Sequence, residues 1–117
     1  MVRVAVIALA IMVCAGGAQA ASDMIGVGRA PCSVFNQSRD KPDEMVLMGW
    51  VTGWLTGFNA ARRDEGLSTM DFDKMGYDAM RDFMRSYCES HPKDPVARAG
   101  IMLMGTLSGL SAVPVPR

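Results

Sequence analysis

An excess of charge of either sign is missing from this sequence. Lys+Arg and Asp+Glu stand at 12 each, so the formal net charge is zero. Without a basic surplus there is no electrostatic footprint for nucleic acid, and no charge run is long enough to mark an interaction tail. Histidine is nearly missing too, with His91 the only imidazole. Strand-like alternation, internal repeats and low-complexity tracts are absent, which points away from β folds and solenoids. Catalytic signatures are equally scarce. Ser108-Gly109 is no nucleophile elbow, because Gly-x-Ser-x-Gly does not occur. Gly26-Val27-Gly28 lacks the third glycine of a dinucleotide fingerprint and has Pro31 instead.

What is present begins with an export signal. Arg3 supplies a positive start, Val4 to Cys14 is an apolar run, and Ala18-Gln19-Ala20 is a small-x-small cleavage site. Residues 1–20 therefore read as a signal peptide. The run is short for a retained membrane anchor. Val13 is too bulky before Cys14 for a lipidation site. Cleavage leaves 97 residues, one domain's worth, with a formal charge of −1 after the loss of Arg3. It also removes Cys14 and leaves two cysteines, Cys32 and Cys88. In an oxidising compartment these are expected to pair, the alternatives being free thiols or an intermolecular bond.

Residues 21–31 read as an extended arm, with a short helix after Cys32. Asp40-Lys41-Pro42-Asp43 is a turn and a helix start, with Pro42 in the first turn and acidic residues at the positive helix end. Met45 to Ala61 carries no charge for 17 residues. Trp50, Trp54 and Phe58 recur every four residues on one helical face. Gly49, Gly53 and Gly57 form a stripe beside them, and Thr52, Thr56 and Asn59 a narrow third one. The expectation is a central helix buried nearly all round. Residues 62–66 end it, with Gly66 free to take a positive φ. Asp71 to Cys88 reads as an amphipathic helix capped by Ser68 or Thr69. Its inner face is Gly76, Met80, Phe83, Met84, Tyr87 and Cys88. Pro92 breaks it. Asp94 and Pro95 open a last helix with Val96, Ala99, Gly100, Leu103, Leu107 and Leu110 as its apolar face. The predicted fold is all-α: a small three- to four-helix orthogonal bundle over residues 32–111, stapled by one disulfide, with a Pro-rich tail at 112–117.

Candidate chemistry is thin. Three glycines inside one helix cost about 1 kcal/mol each relative to alanine, so a close neighbour is expected to offset them. Tight internal packing is the first expectation. A homodimer groove and a membrane dimer helix of the Gly-x-x-x-Gly type are the other readings. The helix-packing or partner groove would comprise Gly49, Trp50, Gly53, Trp54, Gly57 and Phe58. The chain is rich in methionine, with 11. Met45/Met48, Met80/Met84 and Met102/Met104 have spacing that would suit Cu(I), although plastic core filling fits them as well. Cys88 with His91 invites a nucleophile reading, which fails if Cys88 is disulfide-bonded. Asn36-Gln37-Ser38 is a glycosylation sequon. No catalytic residue, cofactor or metal ligand is assigned.

Several of these features together resemble a known family. A cysteine early in the mature chain is followed by Gly49-Trp50-Val51-Thr52-Gly53-Trp54-Leu55-Thr56-Gly57-Phe58-Asn59. Then come Tyr87-Cys88-x-x-His91-Pro92 and a helix opening Asp94-Pro95-Val96-Ala97-x-Ala99. From Cys32 to Leu110 the chain resembles the HdeA/HdeB-like group of small bacterial periplasmic proteins. The resemblance implies a helical domain with one disulfide, a periplasmic location and no enzymatic activity. At its strongest it implies an acid-stress chaperone, dimeric at neutral pH, that shields unfolded clients in acid. The chain departs from the chaperone proper in having only Lys41, Lys74 and Lys93 and a central helix richer in Trp and Gly. The Gly-aromatic pattern is also similar to Tai-type immunity proteins, which would make the partner a specific toxin enzyme. The functional expectation is a protein-binding domain. Immunity-type inhibition and Met-based copper binding are the alternatives. Nucleic acid is not expected as a partner, nor a membrane after signal cleavage; a homodimer is a further partner reading.

Overall fold

The computed structural model describes residues 25–110 and 112–113. The expected signal peptide, the expected cleavage site and Cys14 lie outside the described residues. Four helices follow in chain order: α1 Cys32–Gln37, α2 Pro42–Asp64, α3 Tyr77–Ser90 and α4 Val96–Leu110. The all-α expectation holds. A two-residue antiparallel pair is the only sheet among the described residues, with β1 (Thr69–Met70) against β2 (Ala112–Val113). Residues 112–113, expected to begin the Pro-rich tail, pair with the loop after α2.

The start of α2 follows its sequence. Pro42 takes the first helical turn, where its missing N–H costs nothing, and Asp43 and Glu44 sit at the positive helix end. Arg62 and Arg63 occupy the last turn, and Gly66 beyond it has φ +71°. α3 starts later than the sequence predicts. A 3₁₀ turn at Phe72–Lys74 intervenes, capped by the Asp71 side chain, which accepts from the Asp73 N–H. Gly76 then reverses the chain at φ +77°. This glycine is a hinge into α3 and not a member of its packed face. A carboxylate that bonds a backbone amide two residues on favours the local turn over continued helix.

Cys32 and Cys88 are joined by a disulfide that closes a sequence separation of 56 residues. Both cysteines are fully buried. Backbone bonds reinforce the same corner. The Cys32 N–H donates to the Asp94 carbonyl at 2.7 Å and the Ser33 N–H to the Pro92 carbonyl at 2.9 Å. The free amides at the start of α1 are therefore satisfied by the loop before α4. Around the bridge, Phe35, Met48, Val51, Leu55, Met84, Val96, Leu103 and Leu107 form the core.

Residues 25–31 are not an extended arm. Gly26–Arg29 forms a 3₁₀ turn, and Gly28 is buried under Trp50. A β-carbon at Gly28 would overlap the six-membered ring of that tryptophan. Gly28→Ala is therefore expected to push Trp50 outward and cost about 1–3 kcal/mol by overpacking. A lowered unfolding midpoint with red-shifted tryptophan emission would show it; an unchanged midpoint would not fit. Gly100 plays the matching role on α4. Its β-carbon would lie 3.3 Å from Trp54, whose ring covers this part of α4. Trp50 and Trp54 stack on each other, centroids 6.1 Å apart and 11° between planes.

A polar clamp ties the α1–α2 corner to α3. Glu44 is buried, and its carboxylate accepts from Arg85 Nε at 2.9 Å and from Nη2 at 2.7 and 2.8 Å. Asp40, in the left-handed region at φ +59°, accepts from the same guanidinium at 3.0 Å. The Glu44 hydrogen bonds, chiefly, raise the Arg85 pKa above its already high ordinary value, and partial burial works against them.

Candidate functional site

The central helix is not buried all round. Its buried residues are Glu44, Leu47, Met48, Val51, Leu55 and Asn59. The aromatic stripe is half-buried: Trp50 lies over Gly28, Trp54 over Gly100, and Phe58 under the guanidinium of Arg62 at 5.6 Å. The glycine stripe faces outward. Nothing lies within 4 Å of where a β-carbon would stand at Gly49, Gly53 or Gly57. The expectation of tight internal packing at these three glycines is thereby overturned. The close-packing glycines are Gly26, Gly28 and Gly100. Absence of charge does not imply burial here: glycine has no side chain to bury and sets no requirement for a neighbour.

The open face is continuous. Met45 and Val46 begin it, 73% and 60% exposed. Gly49, Gly53, Thr56, Gly57, Ala60 and Ala61 continue it, all exposed, with no charged residue among them. Exposed charges stand only at its ends, Lys41 and Asp43 at one and Arg63, Asp64 and Glu65 at the other. The three glycines still carry their helix penalty of about 1 kcal/mol each, and no neighbouring backbone approaches to offset it.

The third stripe has split roles. Thr52 and Thr56 donate back to their own helix, to Met48 O at 2.9 Å and Thr52 O at 2.7 Å. Asn59 does more. Its Nδ2 donates to Met70 O at 2.8 Å, and its Oδ1 accepts from the Met70 N–H at 2.9 Å. A side-chain amide thus satisfies both backbone groups of β1's second residue, as a strand would. Sequence reading missed this, because an Asn within a helix carries no mark of a partner 11 residues on. Beside Thr52 and Thr56 a cleft of about 240 Å³ opens, floored by Leu55, Phe72 and Met80 and rimmed by Asp73 and Tyr77. It brings no nucleophile and base together.

The other candidates fall in different places. Cys88 is in the disulfide, which ends the nucleophile reading. His91 stacks on Tyr87 at 4.3 Å between centroids, with Nδ1 3.0 Å from the Tyr87 carbonyl oxygen. It closes the end of α3. Asn36 of the sequon is half-buried and donates to the Cys88 carbonyl at 2.9 Å, so its amide is engaged within the fold. Met80 and Met84 are buried together in the core, whereas Met48 is buried and Met45 exposed, and Met102 is exposed. Core filling explains the buried ones. Among the described residues, no group of three or more His, Cys, Asp or Glu is placed to hold a metal ion. No helix among them is long and apolar enough to cross a membrane.

Asp94, expected as a helix cap, turns its carboxylate instead to Tyr87, whose hydroxyl donates to Oδ2 at 2.6 Å. That bond, with a smaller effect of burial, raises the Tyr87 pKa above its ordinary value near 10. The folded protein therefore holds this proton more tightly than the unfolded chain. The contribution to stability is fully present below pH 10 and is lost as pH rises toward the raised folded value. Tyr87→Phe is expected to flatten the decline of the unfolding midpoint above pH 10, which a midpoint–pH series measures. Parallel curves for the two proteins would contradict it.

In comparisons with family models, curated proteins and solved structures, nothing matches this chain.

Proposed function

We propose that this chain is an exported, non-enzymatic domain that binds protein through the uncharged outer face of α2. One observation carries the reading. Three glycines stand in the middle of a 23-residue helix with nothing packed on them. A helix whose only task was to support the core would be better served by alanine at all three positions. Local rules broken without a compensating contact inside the fold mark surfaces kept for another purpose. Glycine lets a partner's main chain approach the helix closely, and the neighbouring Met45 and Val46 supply adaptable apolar contact.

The export signal at residues 1–20 and the resemblance to HdeA/HdeB-like proteins support the narrower reading. The compartment is the bacterial periplasm, and the partners are unfolded proteins sheltered during acid stress. The test is light scattering from a periplasmic extract brought to about pH 2–3, where carboxylates protonate. Scattering is expected to fall when the purified protein is present in molar excess. Equal scattering with and without it would overturn the chaperone reading.

A further inference from the structure

We infer that the cleft between α2 and the start of α3 is a binding site for a small organic cation, a primary ammonium group carried on an apolar body. The cleft exists because the chain after β1 does not run straight into α3. The 3₁₀ turn at Phe72–Lys74 intervenes, and the chain reverses at Gly76 with φ +77°. Gly76 brings no side chain to fill the gap, and nothing lies within 4 Å of where its β-carbon would stand. The opening has a volume of about 240 Å³. A cavity of about 150 Å³ holds a benzene ring, so there is room here for one ring and a short arm. Leu55 and Met80, 1% and 4% exposed, make the floor, with Phe72 half-buried on the same lining. An apolar floor of this kind takes the body of the ligand.

The rim decides the sign of the charge. A threonine hydroxyl has a single hydrogen to donate. Thr52 donates its hydrogen to the Met48 carbonyl at 2.9 Å, and Thr56 to the Thr52 carbonyl at 2.7 Å. Their oxygens therefore offer a ligand only lone pairs. Asp73, exposed on the rim, is an acceptor alone when ionised. Its own N–H is already given to Asp71 Oδ1 at 3.0 Å. Among the described residues its carboxylate forms no ion pair. The Tyr77 hydroxyl, also on the lining, can donate or accept. A rim so rich in acceptors suits a ligand rich in donors, and a primary ammonium carries three. The faces of the Phe72 and Tyr77 rings are negative, which favours a cation further. The positive start of α3 acts the other way, and Asp78 in its first turn offsets it. No Lys, Arg or His is among the described residues that line the cleft.

Titration of the purified protein with phenethylammonium chloride, followed by backbone amide NMR shifts at neutral pH, tests this. The probe is a benzene ring on a short arm that ends in an ammonium group. Low ionic strength is used, because salt screens an exposed carboxylate. The expected result is saturating shifts confined to residues 52–56 and 72–80. A dissociation constant of about 1 mM is the scale for so small a ligand. 2-Phenylethanol, the neutral counterpart, is expected to bind about fivefold more weakly, and 3-phenylpropionate, of opposite charge, more weakly still. Asp73→Asn keeps the size of the side chain and removes its charge, and circular dichroism checks its fold. It is expected to weaken phenethylammonium about fivefold and to leave phenylethanol unchanged. Asp82→Asn, exposed on α3 and outside the cleft, is expected to change neither. Equal binding of the three probes would mean an apolar hollow without charge selection, and would overturn the inference. So would tighter binding of phenylpropionate, shifts spread over the surface without saturation, or undiminished binding by Asp73→Asn.

Discussion

Replacing both cysteines, as Cys32→Ala/Cys88→Ala, is expected to remove about 4 kcal/mol of folding stability. The figure follows from closing a loop of this length in the unfolded chain. Small domains have about 5–15 kcal/mol in total, so the variant would sit close to unfolding at body temperature. At roughly 4–8 °C per kcal/mol for a domain of this size, the midpoint falls by about 20 °C. The location of the bridge makes a large effect reasonable. Cys32 opens a six-residue helix that is too short to be stable alone, and Cys88 lies near the end of α3. The backbone bonds from Cys32 and Ser33 to the 92–94 loop depend on the same corner. Both cysteines are fully buried, so reductant is expected to act only once the fold opens. Thermal unfolding of the variant and parent checks the size of the loss. A midpoint within a few degrees of the parent would mean that the backbone bonds hold the corner unaided.

The second large effect has the opposite sign. Gly49→Ala/Gly53→Ala/Gly57→Ala is expected to stabilise the dilute monomer by about 2–3 kcal/mol. Each alanine lowers the conformational entropy of the unfolded chain and gains helix propensity. None meets an atom within 4 Å, so no overpacking term subtracts from the gain. Packed glycines would give the reverse, as Gly28 should under Trp50. The contrast between Gly28→Ala, which destabilises, and the triple variant, which stabilises, isolates which glycines the fold uses. Denaturant titration of the monomer at low concentration reads both. A triple variant less stable than its parent would contradict the outward placement of the stripe.

These two predictions also mark how far the sequence was legible. The cysteine pairing followed from a count and from the expectation of an export signal that takes Cys14 with it, and the structure has Cys32 and Cys88 joined. Helix boundaries set by local chemistry were equally readable, such as Pro42 opening α2 and Gly66 ending it. The apolar positions of α4 were legible because Val96, Ala99, Leu103 and Leu107 repeat at helical spacing. The face of α2 was not. A run of uncharged residues shows where charge is absent, and only the placement of other helices decides which side is covered. Leu47, Val51 and Leu55 formed the buried stripe, while the more conspicuous tryptophans were left at its margin. The start of α3 was misread for a different reason. Asp71 and Gly76 act through a side-chain cap and a positive φ, and both lie hidden inside an apparently helical pattern. Asn59 could not be assigned at all, since its partner is the backbone of Met70 and not another side chain.

On the proposed function, stability lost at the glycine stripe is exchanged for binding there. Alanines at 49, 53 and 57 keep the helix and remove the close approach that glycine permits. The most direct measurement is therefore protein binding by the triple-alanine variant beside its parent, read as suppression of extract scattering in acid at matched concentration. Markedly weaker suppression by the better-folded variant is the predicted result. Undiminished suppression would contradict the assignment, because the open face of α2 would then be idle.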